Sequence, residues 1–157
     1  MRRAVHAVYE CCYSVPLAAD LVRQRPFSSH DQLFRCADEL LFALGEESVD
    51  SILQAYPDIG RRPGSEKSAA EQCAVKDARP EMMARLADAS KAYLEHFGFG
   101  FVMHINGYSS DTVLATMGDR LLNDYETERK IVRNELARIN RTRLERMLGP
   151  EGGYDNW

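Results

Sequence analysis

Residues 126–148 read ETERKIVRNELARINRTRLERML, and their spacing decides the fold class. Val132, Leu136, Ile139 and Met147 recur at intervals of three, four and eight, and Arg143 falls on the same stripe, four residues after Ile139 and four before Met147. Such a stripe belongs to an amphipathic helix with one buried face. A guanidinium on that face points inward, where burial without a partner costs several kcal/mol. Arg143 therefore requires a carboxylate or carbonyl partner, or a pocket that receives an anionic ligand. The structural alternative is a helix-end arginine whose charge reaches back to water.

Outward from this helix, apolar residues keep the three-and-four period almost everywhere, and strand-like alternation is scarce, so the chain is expected to be an all-α, single-domain helical bundle. Residues 4–14 and 16–23 read as two short helices, the second opening on Pro16 and ending before Pro26. Ser28 or Ser29 caps a longer helix to about Leu44, with Leu33, Cys36, Leu40, Leu41 and Leu44 on one stripe and Gly45 as its stop. Residues 47–55 form a short helix, and 56–65 a loop rich in Pro, Gly and charge, the kind of long loop that often carries function. Ser68 with Glu71 three residues on is a capping box for a helix over 68–75. Pro80 opens a helix with a stripe of Met83, Leu86, Ala87 and Tyr93 that stops at Gly98. Residues 97–107 are extended and apolar, closing on the turn pair Asn106-Gly107. Ser109 or Asp111 caps a helix to about Leu122. The domain is read as residues 1–148, followed by a Gly-rich tail over 149–157 expected to be loosely ordered.

Composition excludes several function classes. A chain of 157 residues, 45% apolar, has room for one domain with a real core. Twenty Lys and Arg against 24 Asp and Glu give a net charge of −4, with no basic excess for a phosphate backbone, so no nucleic-acid partner is expected. No apolar run approaches the roughly 20 residues of a membrane span, and the first residues lack a secretory leader, so the chain is expected in the cytoplasm, without a membrane partner. Cys11, Cys12, Cys36 and Cys73 show no metal-ligand spacing and read as reduced core thiols. His6, His30, His96 and His104 are scattered without a zinc pattern, so no metal is implied.

Several segments, in order, resemble the 2-oxo-4-hydroxy-4-carboxy-5-ureidoimidazoline (OHCU) decarboxylases of urate breakdown, the enzymes that yield S-allantoin. Arg25-Pro26-Phe27 stands near the start, and Tyr56-Pro57-Asp58-Ile59-Gly60 lies where the family has His-Pro-Asp. Ser68-Ala69-Ala70-Glu71-Gln72 matches Ser-x-x-Glu-Gln. Phe97-Gly98-Phe99-Gly100-Phe101-Val102 matches Phe-Gly-Phe-Pro-Phe-Val, and Arg143-Leu144 completes the set. The resemblance, over about residues 8 to 148, implies an all-helical fold, a homodimer, a small-molecule substrate and a cofactor-free site. By position it makes Glu71 the catalytic glutamate and Arg143 the essential arginine. Pro57, Ser68, Gln72 and the strip Phe101, Val102, Met103, His104 and Ile105 would line the substrate. Loss of carbon dioxide leaves a carbanion, so such a site needs oriented donors where negative charge grows and a group that exchanges a proton.

The sequence departs from the family at three of these places. The catalytic histidine is Tyr56, whose hydroxyl, with an ordinary pKa near 10, is a donor but a poor base. A family asparagine is Ser90, and the proline of the Phe-Gly-Phe-Pro run is Gly100. His104, in the substrate-lining strip, is the candidate to supply the missing imidazole. Two readings follow: a decarboxylase of the ureidoimidazoline or a related nitrogen heterocycle, and a diverged member that binds or converts another purine-like or ureido ligand.

Overall fold

A computed structural model describes residues 1–56 and 79–149 of the chain, and among these residues it contains helices and no strand. In chain order the helices are α1 (Arg2–Cys12), α2 (Val15–Arg23), α3 (His30–Phe42), α4 (Glu46–Ala55), α5 (Pro80–Phe97), α6 (Ser110–Arg120) and α7 (Tyr125–Leu148). The all-α expectation holds. None of the described helices is long and apolar enough to cross a membrane. The expected loop over 56–65, beyond Tyr56, and the expected helix over 68–75 lie outside the described residues, as does the tail beyond Gly149.

The chain groups into two compact units, residues 1–52 with 133–157, and residues 53–132. The first unit holds α1 to α3, most of α4 and the C-terminal two-thirds of α7. α1 and α2 meet in a tight turn: Tyr13 caps α1 in a left-handed conformation, and Ser14 begins α2 by accepting a hydrogen bond from the Leu17 amide at 3.3 Å. Ser29 caps α3, its hydroxyl accepting from the Gln32 amide at 3.2 Å. The expected stop at Gly45 is corrected. α3 ends through Ala43 in right-handed geometry, and the Gly45 carbonyl instead accepts from Ser48 and Val49, so Gly45 opens α4. Carbonyls at and just past the end of α3 accept from α7. Arg133 donates to Leu41 at 3.2 Å and Leu44 at 3.0 Å, and pairs with Glu46 at 2.5 Å. Leu17, Leu21, Leu33, Leu41, Leu136 and Leu144 are fully buried here, each contributing about 1.5–3 kcal/mol through removal from water.

The second unit holds the end of α4, α5, the irregular strip after it, α6 and the start of α7. α5 opens on Pro80 and ends where Gly98 takes a φ of 81°, its amide donating to Leu94 at 2.8 Å. Its buried stripe is Met82, Leu86, Ser90, Tyr93 and Phe97. Of the expected stripe, Leu86 and Tyr93 are buried, whereas Met83 is half-buried and Ala87 exposed. Tyr93 sits at the centre of an aromatic cluster, 4.8 Å from Phe97, 5.8 Å from Phe99 and 5.1 Å from Phe101 between ring centroids. Edge-on packing of this kind contributes about 0.5–1.5 kcal/mol per pair beyond area burial. Ser109 caps α6 at the Thr112 amide, and Asp124 caps α7 at the Thr127 amide, 2.9 Å away.

Candidate active site

In the first unit, Arg143 lies in α7 only 4% exposed, so the stripe that turns it inward is real. The last carbonyls of a helix have no intrahelical donor, and Arg143 serves one of them: its Nη1 donates to the Cys11 carbonyl of α1 at 3.3 Å. Its guanidinium carbon lies 4.8 Å from the centroid of the Tyr13 ring, within cation–π range. Asn140, one turn earlier on α7, brings its side-chain amide to the same Cys11 carbonyl; in the amide orientation that satisfies both of its ends, the nitrogen donates to Cys11 at 3.2 Å and to Leu136 at 3.3 Å. One partner of the inward arginine is thus a main-chain carbonyl, at the C-terminal end of a helix whose dipole favours a cation. Tyr13 reaches its place from a φ of 52° and ψ of 26°, a region costing a bulky L residue about 1–2 kcal/mol. Beside it, burial pushes the Cys12 thiol up to about 11 and outweighs the opposing pull of the Arg143 charge. Cys11, Cys12 and Cys36 are buried, while Cys73 lies outside the described residues.

In the second unit the strip after α5 is irregular and anchored from behind. Phe101, Val102 and Ile105 are buried, and Met103 and His104 are half-buried. The turn at Asn106-Gly107 forms as expected, Gly107 at a φ of 86° and the Tyr108 amide donating to Ile105 at 3.0 Å. Arg120, at the end of α6, donates through Nη1 to the Val102 carbonyl at 2.8 Å and stacks 4.4 Å from the Phe101 centroid. The same guanidinium donates through Nε to Glu128 Oε1 at 2.7 Å, and Tyr93 donates its hydroxyl to that carboxylate as well. Asn123 closes the network on Glu128 Oε2 at 2.9 Å. Burial first, and the hydrogen bond to Glu128 second, push the Tyr93 phenol far above its ordinary range, so it is a fixed donor.

Sequence reading had singled out neither Arg120 nor Glu128, yet the signal was present. Glu128, Val132, Leu136, Ile139 and Arg143 stand at intervals of four, four, three and four, so Glu128 shares the stripe that marks Arg143. Arg120 follows Val113 and Met117 in the same way on α6. Of the other predicted site residues, Tyr56 follows α4, half-buried with its hydroxyl shielded from solvent, and belongs with the strip to the second unit. Pro57, Ser68, Glu71 and Gln72 lie outside the described residues. No cluster of three or more His, Cys, Asp or Glu among the described residues is placed to hold a metal ion.

Comparison with known proteins meets these observations. The profile of a family described as OHCU decarboxylase matches residues 1–145. The 2-oxo-4-hydroxy-4-carboxy-5-ureidoimidazoline decarboxylase of Haloferax volcanii is 29% identical over 143 residues, covering 87% of this chain and 83% of that protein. Its namesake from Mus musculus is 26% identical over 140 residues, covering 85% and 79%. A crystal structure of OHCU decarboxylase in the presence of (S)-allantoin superposes with a TM-score of 0.79 at 20% identity, over 88% of this chain and 94% of that one, a likeness of fold. A profile match that runs from α1 through the inward arginine of α7 settles the matter of kinship: the chain belongs to the OHCU decarboxylase family.

Proposed function

We propose that this protein decarboxylates 2-oxo-4-hydroxy-4-carboxy-5-ureidoimidazoline to S-allantoin in urate breakdown. The observation that carries the reading is Arg143: buried, oriented by the Cys11 carbonyl and the Tyr13 ring, and inside the family match over residues 1–145. The names of the relatives favour this reading over that of a binding protein.

In the proposed reaction carbon dioxide leaves without its bonding pair. The adjacent carbonyl or imine takes up the pair, and a proton delivered to one face completes the product. The electron sink lies in the substrate, so no cofactor is called for. Arg143 holds an anionic or carbonyl group of the ring in its planar fork. Glu71 exchanges the proton, while Ser68, Gln72 and Pro57 line the ring. The strip from Phe101 to Ile105 contributes main-chain groups, held in register by the Arg120 bond to Val102. Tyr56 donates its hydroxyl where relatives of the resembled pattern carry histidine, and His104, half-buried on the strip, supplies the imidazole. We further hold residues 1–148 to be one domain, working in the cytoplasm as a homodimer; the family match through both units supports the first of these.

The test is time-resolved circular dichroism of freshly generated ureidoimidazoline. Chiral allantoin is expected to form faster with protein than by spontaneous decay, and the acceleration is expected to vanish in Glu71→Gln. Decay at the spontaneous rate with folded wild-type protein overturns the reading. His104→Ala is expected to lower turnover strongly; an unchanged rate removes His104 from the mechanism.

A further inference from the structure

The turn between α1 and α2 contains an anomaly that folding alone does not require. Tyr13 is the non-glycine residue with positive φ among the described residues, and it caps α1 where glycine or asparagine would sit without strain. Its amide bond to the Tyr9 carbonyl at 2.7 Å is a main-chain contact that glycine would make equally well. What glycine would not supply is the ring, which the left-handed turn lays against the Arg143 guanidinium at 4.8 Å. The ring also packs edge-on to Tyr9 at 6.2 Å, which limits its own motion. A strained, half-buried aromatic that faces a buried arginine is better explained by what it does to the arginine than by what it does for the turn.

We propose that Tyr13 is a positioning residue for Arg143. The ring fixes the plane of the guanidinium, and the Cys11 carbonyl fixes its rotation within that plane. Together they present the fork at one angle to an anionic substrate group. A planar bidentate donor gains its selectivity from such orientation, since a tilted fork meets a carboxylate through one bond in place of two. The proposal rests on Arg143 as the substrate-holding arginine.

The experiment compares wild type with Tyr13→Asn, Tyr13→Phe and Arg143→Met in the ureidoimidazoline assay, alongside thermal unfolding of each. Asparagine tolerates the left-handed turn, so Tyr13→Asn is expected to keep or raise the melting temperature. Its KM is expected to rise about tenfold, the scale of a partly desolvated cation–π contact, with kcat changed far less. Tyr13→Phe retains the aromatic face and is expected to recover most of the loss. If Tyr13→Asn matches wild type in KM while Arg143→Met abolishes turnover, the positioning role is overturned and the proposed reaction stands. If wild type itself shows no acceleration, it is the proposed reaction that fails. Should Tyr13→Asn lose its fold, Tyr13→Leu keeps the strain and the bulk without the aromatic face. A KM for Tyr13→Leu equal to that of Tyr13→Phe overturns the inference in that case.

Discussion

Among the described residues the second unit buries Arg120 and Arg129 and the first buries Arg143, and Arg120 and Arg143 make contacts of different kinds. Arg120, 5% exposed, is matched by a carboxylate that is itself fully buried, Glu128, and its remaining donors reach the Val102 carbonyl and the Tyr93 hydroxyl. Arg143, 4% exposed, is oriented by the Cys11 carbonyl and the Tyr13 ring. A carboxylate cancels the charge of a guanidinium, whereas the carbonyl dipole and ring face seen at Arg143 orient it. Equal burial therefore says little about role; the kind of contact says more. Arg120 holds the strip from Phe101 to Ile105 at Val102, and Arg143 is the arginine to which the proposed function assigns the chemistry.

The largest expected effect breaks this comparison on the side of Arg120. Glu128→Ala leaves a buried guanidinium without its carboxylate and is expected to cost about 3–5 kcal/mol. In a chain of this size that lowers the melting temperature by on the order of 10 °C. Replacing both partners with apolar residues, Arg120→Met with Glu128→Leu, is expected to return most of that stability, because the double variant strands no charge. A double variant as unstable as Glu128→Ala would mean that the bond to the Val102 carbonyl, not the ion pair, carries the energy. Urea unfolding of the three proteins separates the cases.

Arg143→Met tests the other side with a smaller effect on folding. Cys11 keeps the Asn140 donor, so the variant is expected to lose about 1.5–3 kcal/mol, the worth of a hydrogen bond to a charged group. Turnover is expected to fall by about 10²–10³, the scale seen when one oriented donor to developing negative charge is removed. A loss of stability as large as that of Glu128→Ala, with turnover retained, would reverse the roles assigned to the two arginines.

The residues explain what the sequence could and could not disclose. Helix starts were legible where a side chain caps them: Ser29 and Ser109 both accept the amide three residues on, as their positions imply. Gly98 and Gly107 were legible because the turns they make need positive φ. Gly45 misled, since a glycine after an apolar run marks a stop by composition, while here α3 ends at Phe42 and Arg133, some 90 residues away in sequence, reaches the Leu41 and Leu44 carbonyls around its end. The face of α5 was legible at Leu86, Tyr93 and Phe97 and misread at single positions, because Ser90 is polar by type and buried in fact, while Ala87 is apolar and exposed. At the site, one inward arginine could be seen from its stripe. Arg120 and Glu128 also stand on apolar stripes, but that the two meet each other is visible only where α6 and the start of α7 bury both. The order of motifs gave the family; the profile match over residues 1–145 shows it.

The smallest expected effect is an absence of reaction, and it sharpens the comparison at the end of α1. A cysteine beside an arginine is a common recipe for a reactive thiolate, yet Cys12 is 1% exposed and its thiol is pushed up to about 11. Burial is the larger influence and the Arg143 charge the smaller, so the Arg143 charge does not activate Cys12. At pH 8 the thiolate fraction is about one part in a thousand, and iodoacetamide is expected to leave Cys12 unlabelled in native protein while labelling it in urea. The sign for stability follows from the same shift. The unfolded chain releases this proton near the ordinary thiol value and the folded chain only near 11. Folding is therefore unaffected by Cys12 below about pH 8.5 and loses stability as the pH climbs from there toward 11. Peptide mapping after native alkylation decides it. Rapid labelling of Cys12 at pH 8 would show the end of α1 open to water, and an open α1 end could not hold the Arg143 fork at a fixed angle.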